Sequence, residues 1–228
     1  MSLNCVFKVL SIFISTYQEK LKKIYLYRMT HVENIPHILA NGITHQRSAN
    51  SNENYVPIGA GGLISKRESV LLSNGNALGD YIPFYFGPRM PMLYVIKLGA
   101  QSVLYNLKQT SSEDVIYCIT SVEQMLAHRL EFVFSNGHAV SDLTDFFDET
   151  DVKEILNIID QKAVNARYWR DDNDLDLKRR KEAEFLVLGD IPASAILGFA
   201  VYSANAEQKL LKLGVDKNKI AVKSGYYF

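Results

Sequence analysis

Apolar positions fall into short runs separated by polar loops, and the runs change between strand and helix periods along the chain. IYLYRMTH (residues 24–31) has strand composition. VENIPHILANG, which follows, puts Ile35, Ile38 and Leu39 on one helical face with Gly42 where a C-cap belongs. Residues 44–79 are rich in Ser, Asn and Gly with little period, which inside a compact domain marks a functional loop rather than a spacer. YIPFYF and MLYVIKL predict strands on either side of a tight GPRMP connection. VEQMLAHRLEFVFS is mixed, DVKEILNIIDQKAV is helical, and WRDDNDLDLKRRK is a polar loop running into the strand EFLVL. ASAILGFAVYS, a short helix at AEQKLLKLG and a strand at KIAVKSGYYF complete the pattern. No repeat or linker divides it, so it predicts one mixed α+β domain over residues 24–228 behind an extension of residues 1–23.

One charge sits awkwardly in this pattern. Strand alternation places Glu184 on the same side as Leu186 and Leu188. A carboxylate there either hangs off a strand end into water or stands in a cleft.

Composition removes several classes of function. The 228 residues are 47% hydrophobic, ordinary for a chain with a real core, and nothing is long and apolar enough to cross a membrane. Twenty-five basic residues balance 25 acidic ones, so any nucleic-acid contact must be local. Cys5 and Cys118 lie far apart without a CxxC pair, which indicates neither a disulfide scaffold nor a zinc ribbon and fits a reducing cytoplasm. CVFKVLSIFIST is interrupted by Lys8 and followed by YQEKLKK rather than a cleavage site, so a secretory signal is not expected.

Most familiar motifs fail on spacing. GAGGLI has Ile64 where a dinucleotide fingerprint needs its third glycine, and no GK[ST] follows. DDNDLD would place Leu177 and Ala183 where a calcium loop needs Gly and Glu. His31, His37, His45, His128 and His138 show no HxH or HxxxH pairing, and no metal is expected. Three features remain. His31 ends a strand just before a helix, a place that serves capping and pockets alike. Lys178, Arg179, Arg180 and Lys181 precede Glu184 and would either form a wet face or frame a cleft with positive charge. DYIPFYFGPRMPMLY packs five aromatic residues, two methionines and one arginine into fifteen positions, which suits a core and also suits the stacking of unpaired bases.

YLYRMTHVENIPHILANGI, GLISKR, GDYIPFYFGPRMPMLYVI, SNGHA and KRRKEAEFLV, taken in order from about residue 24 to the end, resemble the DarT family of bacterial toxins. That resemblance implies transfer of ADP-ribose from NAD to a base in single-stranded DNA. It implies the ADP-ribosyltransferase fold, with split antiparallel or mixed sheets around an NAD cleft, and a macrodomain antitoxin partner of the DarG type. By the same resemblance, Met29, Thr30, His31 and Ile38 hold NAD, and the loop from His45 to Arg67 folds over it. Its closing arginine is Arg67, with Lys66 as the alternative one residue away. Tyr85, Arg89, Met92, His138, Arg179 and Arg180 face DNA, residues 138–184 choose the acceptor, and Glu184 is the catalytic glutamate. Residues 1–23 are not required by the family pattern.

The implied chemistry suits these residue types. Cleaving the nicotinamide–ribose bond leaves an oxocarbenium-like centre, the charge problem that glycosidases solve with carboxylates. One carboxylate fixed before reaction stabilises that charge, and no metal is required. Arg67 supplies a cation for the diphosphate or the leaving end, but a guanidinium hardly ever gives up a proton. Unstacking the acceptor base costs least in a single strand, and the closeness of the resembling blocks favours thymidine over guanosine as that base. Hydrolysis of NAD without an acceptor, transfer to RNA or protein, and an inactive nucleic-acid-binding module are the competing expectations.

Overall fold

The computed structural model of the protein describes residues 21, 24–59, 61–99 and 109–228. The extension expected over residues 1–23 lies outside them except for Leu21, which is buried in the main core.

The chain opens with strand β1 (Tyr25–His31), a 3-10 turn and helix α1 (Ile35–Asn41). Gly42 closes α1 at φ 79°, and a Cβ there would stand 2.0 Å from the Ile191 carbonyl oxygen, so glycine is needed for both backbone and space. Ile35 and Ile38 are buried as expected, whereas Leu39 turns outward.

The long polar loop is not structureless. It contains helix α2 (Gly61–Glu68), and Arg47 ties it down by bonding both Glu68 and Asp80. Strand β2 (Tyr81–Tyr85) follows as expected. The strand expected at MLYVIKL is instead helix α3 (Pro91–Leu98). Pro91 occupies its first turn, Gly99 caps it at φ 60°, and the buried Leu93 and Ile96 are three apart. These local signals outweigh the β-favouring Tyr94, Val95 and Ile96.

Strand β3 (Val115–Ser121), helix α4 (Val122–Ala127), strand β4 (Phe132–Ser135) and the short β5 (Phe146–Phe147) come next. The single helix expected over DVKEILNIIDQKAV is broken into a 3-10 turn, α5 (Ile155–Ile158) and α6 (Gln161–Val164). Ile159 is extended at ψ 121°, and the Asp160 side chain accepts from the Ala163 amide at 2.9 Å, starting a new helix rather than continuing the old one. The polar loop before Glu184 ends in helix α7 (Leu177–Lys181), after which β6 (Glu184–Leu188), β7 (Gly198–Val201), α8 (Ala204–Lys212) and β8 (Ile220–Val222) finish the α+β chain.

Among the described residues the eight strands form one sheet in the order β5-β4-β6-β2-β1-β3-β7-β8, antiparallel except for β7–β8. Its two halves meet at β1 and β2, which share one registered pair, Tyr27 opposite Tyr85. That narrow joint is the split in the sheet. One face of both halves carries the main core, including Leu26, Phe84, Cys118, Phe185 and Val187. The other face carries two separate clusters, one around Tyr117, Leu93 and Tyr227 and one around Leu78, Tyr81 and Leu186. Neither cluster continues across the joint, which leaves a cleft beside it.

Candidate active site

Glu184 begins β6 opposite Tyr85 of β2, and the residue is 1% exposed. Each oxygen has its own donor: Arg67 Nη1 lies 2.8 Å from Oε2, and the Ala139 amide lies 3.1 Å from Oε1. The Glu184 amide donates to Ser135 Oγ at 3.1 Å, and that hydroxyl donates to the Gly137 carbonyl at 2.7 Å. Phe185, Leu186 and Val187 behind it are fully buried, so the carboxylate is held by backbone and core alike. Of its two expected surroundings, the chain has chosen the cleft.

Arg67 comes from the last turn of α2 and is 14% exposed, whereas the neighbouring Lys66 points to solvent. Of the two cations that the resemblance left open, Arg67 is the one that meets Glu184. Arg67 Nη2 is buried without a protein acceptor, a free donor beside an anchored acid. A buried ion pair of this kind is costly to break from one side, about 3–5 kcal/mol, because the survivor keeps an uncompensated charge.

The cleft around this pair encloses about 370 Å³. Met29 and Thr30 reach it from the end of β1, and Ile38 from α1. Tyr85, Met92 and His138 line it from β2, α3 and the segment after β4. Burial first, and the Glu184 charge second, push the Tyr85 phenol well above its usual range, so it stays a neutral hydroxyl.

Other expected positions lie elsewhere. His31 is not part of the lining; its Nδ1 accepts from the Glu33 amide and caps the turn after β1. Arg89 bonds the Tyr227 carbonyl and lies 4.2 Å over the Phe228 ring. Arg179 bonds Asp176, Asn136 and Thr144, and Arg180 pairs with Asp174 and Asp160. Lys181 is fully buried and donates to the Val164 and Ala166 carbonyls, and burial lowers its ammonium to about 8. The basic run before Glu184 is therefore largely spent on the protein itself rather than free to frame the cleft.

Two contributors had no sequence signal. Asn34 is buried and binds Thr30 Oγ at 3.0 Å, the Val56 carbonyl at 2.9 Å and the Val56 amide at 2.8 Å, joining the end of β1 to the long polar loop. Glu182 is buried beside Glu184, at 7% exposure. Neither stands out in a sequence, because their partners lie on other segments.

Among the described residues no group of three or more His, Cys, Asp and Glu side chains could hold a metal ion. The lining combines an anchored carboxylate, a cation with a spare donor and apolar walls. That set fits a charged dinucleotide whose glycosidic bond is polarised by the acid.

Comparison with known proteins points the same way. A family model described as "ssDNA thymidine ADP-ribosyltransferase, DarT" matches residues 27–228. A DNA ADP-ribosyl transferase of Escherichia coli O127:H6 is 32% identical over 213 residues, covering 91% of this chain and 94% of that protein. The structure of Thermus sp. 2.9 DarT with ADP-ribosylated ssDNA superposes with a TM-score of 0.76 at 28% identity, over 90% of this chain and 96% of that one. The same protein with NAD+ gives 0.73 at 29% identity, over 90% and 98%. A transferase–DNA ADP-ribosyl glycohydrolase fusion protein of Thermosipho africanus is 31% identical over 163 residues, 71% of this chain and 38% of the fusion.

Proposed function

The chain belongs to the DarT family of DNA ADP-ribosyltransferases, and from that premise we propose that it transfers ADP-ribose from NAD to a thymine in single-stranded DNA, in a preferred sequence context. The observation that carries this reading is the Glu184 carboxylate, buried and pinned by Arg67 and the Ala139 amide at the wall of the cleft.

In this reading Met29, Thr30 and Ile38 receive the nicotinamide end of NAD. Glu184 polarises the ribose hydroxyls and stabilises positive charge as the nicotinamide bond opens, with no reorganisation needed because its position is already set. Arg67 holds the Glu184 carboxylate in place and offers Nη2 to the substrate's anionic or leaving portion. Tyr85, Met92 and His138 receive the unstacked base. With Arg89, Arg179 and Arg180 engaged by protein acceptors, affinity for DNA comes from stacking in the cleft more than from bulk charge.

The fusion protein of Thermosipho africanus joins such a transferase to a glycohydrolase. We accordingly assign this chain the toxin role, in the cytoplasm, with a macrodomain glycohydrolase as its antitoxin partner.

The test incubates the protein with NAD and a panel of short single-stranded oligonucleotides and reads intact mass. One ADP-ribose should appear on thymine-containing DNA, should be removed by the partner glycohydrolase, and should vanish in Glu184→Ala. Mass on RNA or protein alone, or free ADP-ribose formed equally with and without DNA, would overturn the acceptor assignment.

A further inference from the structure

An asparagine amide has a donating end and an accepting end, and its neighbours settle which way it points. Asn34 is buried, at 1% exposure, and lines the cleft together with Thr30. On one side it meets both backbone groups of a single residue. The Val56 amide donates to Asn34 Oδ1 at 2.8 Å, and the Val56 carbonyl accepts from Nδ2 at 2.9 Å. A backbone N–H cannot accept and a carbonyl cannot donate, so this double pairing admits one orientation of the amide.

That orientation fixes Thr30 as well. Of the two Nδ2 hydrogens, one goes to the Val56 carbonyl and the other to Thr30 Oγ, 3.0 Å away. The threonine oxygen is therefore an acceptor, and its own proton is left to donate elsewhere. Thr30 is 2% exposed, and its hydroxyl proton has no acceptor among the described residues. A buried donor without an acceptor is costly, and the open side is the cleft that Thr30 lines. Arg67 Nη2 is a second spare donor on the same lining.

Both sides of this arrangement are held. Thr30 pairs with Ile116 across β1 and β3, and Asn34 ends the 3-10 turn that follows β1. Val56 lies just before Ile58, which is 6% exposed and packs in the cluster of Tyr27, Leu93 and Tyr117. The start of the same loop is tied to the segment after β6, where Asp190 accepts from the His45 amide at 2.8 Å and from Ser48 Oγ at 2.5 Å. The direction of the Thr30 hydroxyl is thus set before any ligand arrives.

We propose that Asn34 is a positioning residue of the NAD site: it commits the Thr30 hydroxyl to donating into the cleft, and the pair thereby selects a ligand that presents a hydrogen-bond acceptor at the end of β1. The inference rests on the NAD reading above, in which this end of the cleft receives nicotinamide, and it deepens that reading by naming the carboxamide oxygen as the atom recognised. A hydroxyl free to turn accepts or donates as the ligand requires. One held by Asn34 disfavours an N–H, or a group with no lone pair, in the same place.

The test is calorimetric binding, without DNA, of NAD and of thio-NAD, whose thiocarbonyl sulfur is a weak acceptor, to wild type, Asn34→Asp, Thr30→Val and Thr30→Ser. Wild type should bind NAD about fivefold or more tighter than thio-NAD. That preference should fall by about threefold or more in Asn34→Asp, whose carboxyl lacks the second donor and lets the hydroxyl turn its proton inward. Thr30→Val should lower the preference in the same way, and Thr30→Ser should restore it. The size of sulfur is common to every variant, so a merely structural defect would weaken both ligands alike and leave their ratio in place. If Asn34→Asp does not fold, Asn34→Ser, too short to hold all three partners, carries the same comparison. No preference in wild type, a ratio unchanged in the Asn34 variant, or one lost equally in Thr30→Ser would overturn the inference while NAD binding stands. Failure of wild type to bind NAD at all would overturn the reading and the inference together.

Discussion

Glu184 and Arg67 divide the work of a single charge pair: one side chain is immobile and almost fully enclosed, the other keeps a donor in reserve. Arg67→Ala should therefore lower transfer by about a hundredfold or more and also reduce stability, since it strands the carboxylate. Lys66→Ala, one residue away and exposed, should stay within about twofold of wild type in the same assay. Cys118 makes a different prediction. Burial pushes its thiol from 9.0 up to about 12. The unfolded chain releases that proton first, so this contribution to stability is complete below about pH 9 and is lost as pH rises through about 12. Lys181 acts oppositely, because its lowered ammonium favours the folded chain as pH climbs from about 8 towards 10.5. Comparing urea midpoints of wild type and Cys118→Ala across this range isolates the thiol, and the variant should show a shallower alkaline decline.

Elements position these side chains through contacts that run between segments. Arg179 spans the segment after β4, and its guanidinium would stand 2.3 Å from a Cβ on Gly137. Arg179→Ala releases the Asn136 and Thr144 contacts and should cost about 1–3 kcal/mol in denaturant unfolding, with slower transfer because the same segment presents His138 and Ala139. The turn after α1 is less forgiving. Gly42→Ala meets both a positive φ and the Ile191 carbonyl, so a loss of about 2 kcal/mol or more is expected from its urea midpoint. The elements that sequence pattern placed correctly are those whose signals are local, such as β1, α1, β2 and β6. MLYVIKL misled because its residue types favour a strand while Pro91 and Gly99, just outside the apolar stretch, favour a helix.

At the scale of the whole molecule, the cleft exists because two half-sheets touch through one registered pair. Arg28 reinforces that joint, its Nη1 donating to the Pro83 carbonyl at 3.0 Å across β1 and β2. Arg28→Met should loosen the joint and weaken NAD binding, measured by calorimetry, more than it weakens folding. The chain by itself determined the α+β class, the loop that must cover something, the misplaced acid before EFLVL and the blocks that resemble one family, since each resides in neighbouring residues and their order. Only the tertiary structure decided which cation meets Glu184, that Arg179, Arg180 and Lys181 serve the protein rather than a surface charge, and that Glu182 is buried beside the site. Burial and pairing depend on what other segments bring near. Residue 67 meets residue 184 only once the sheet has split and α2 has folded against it.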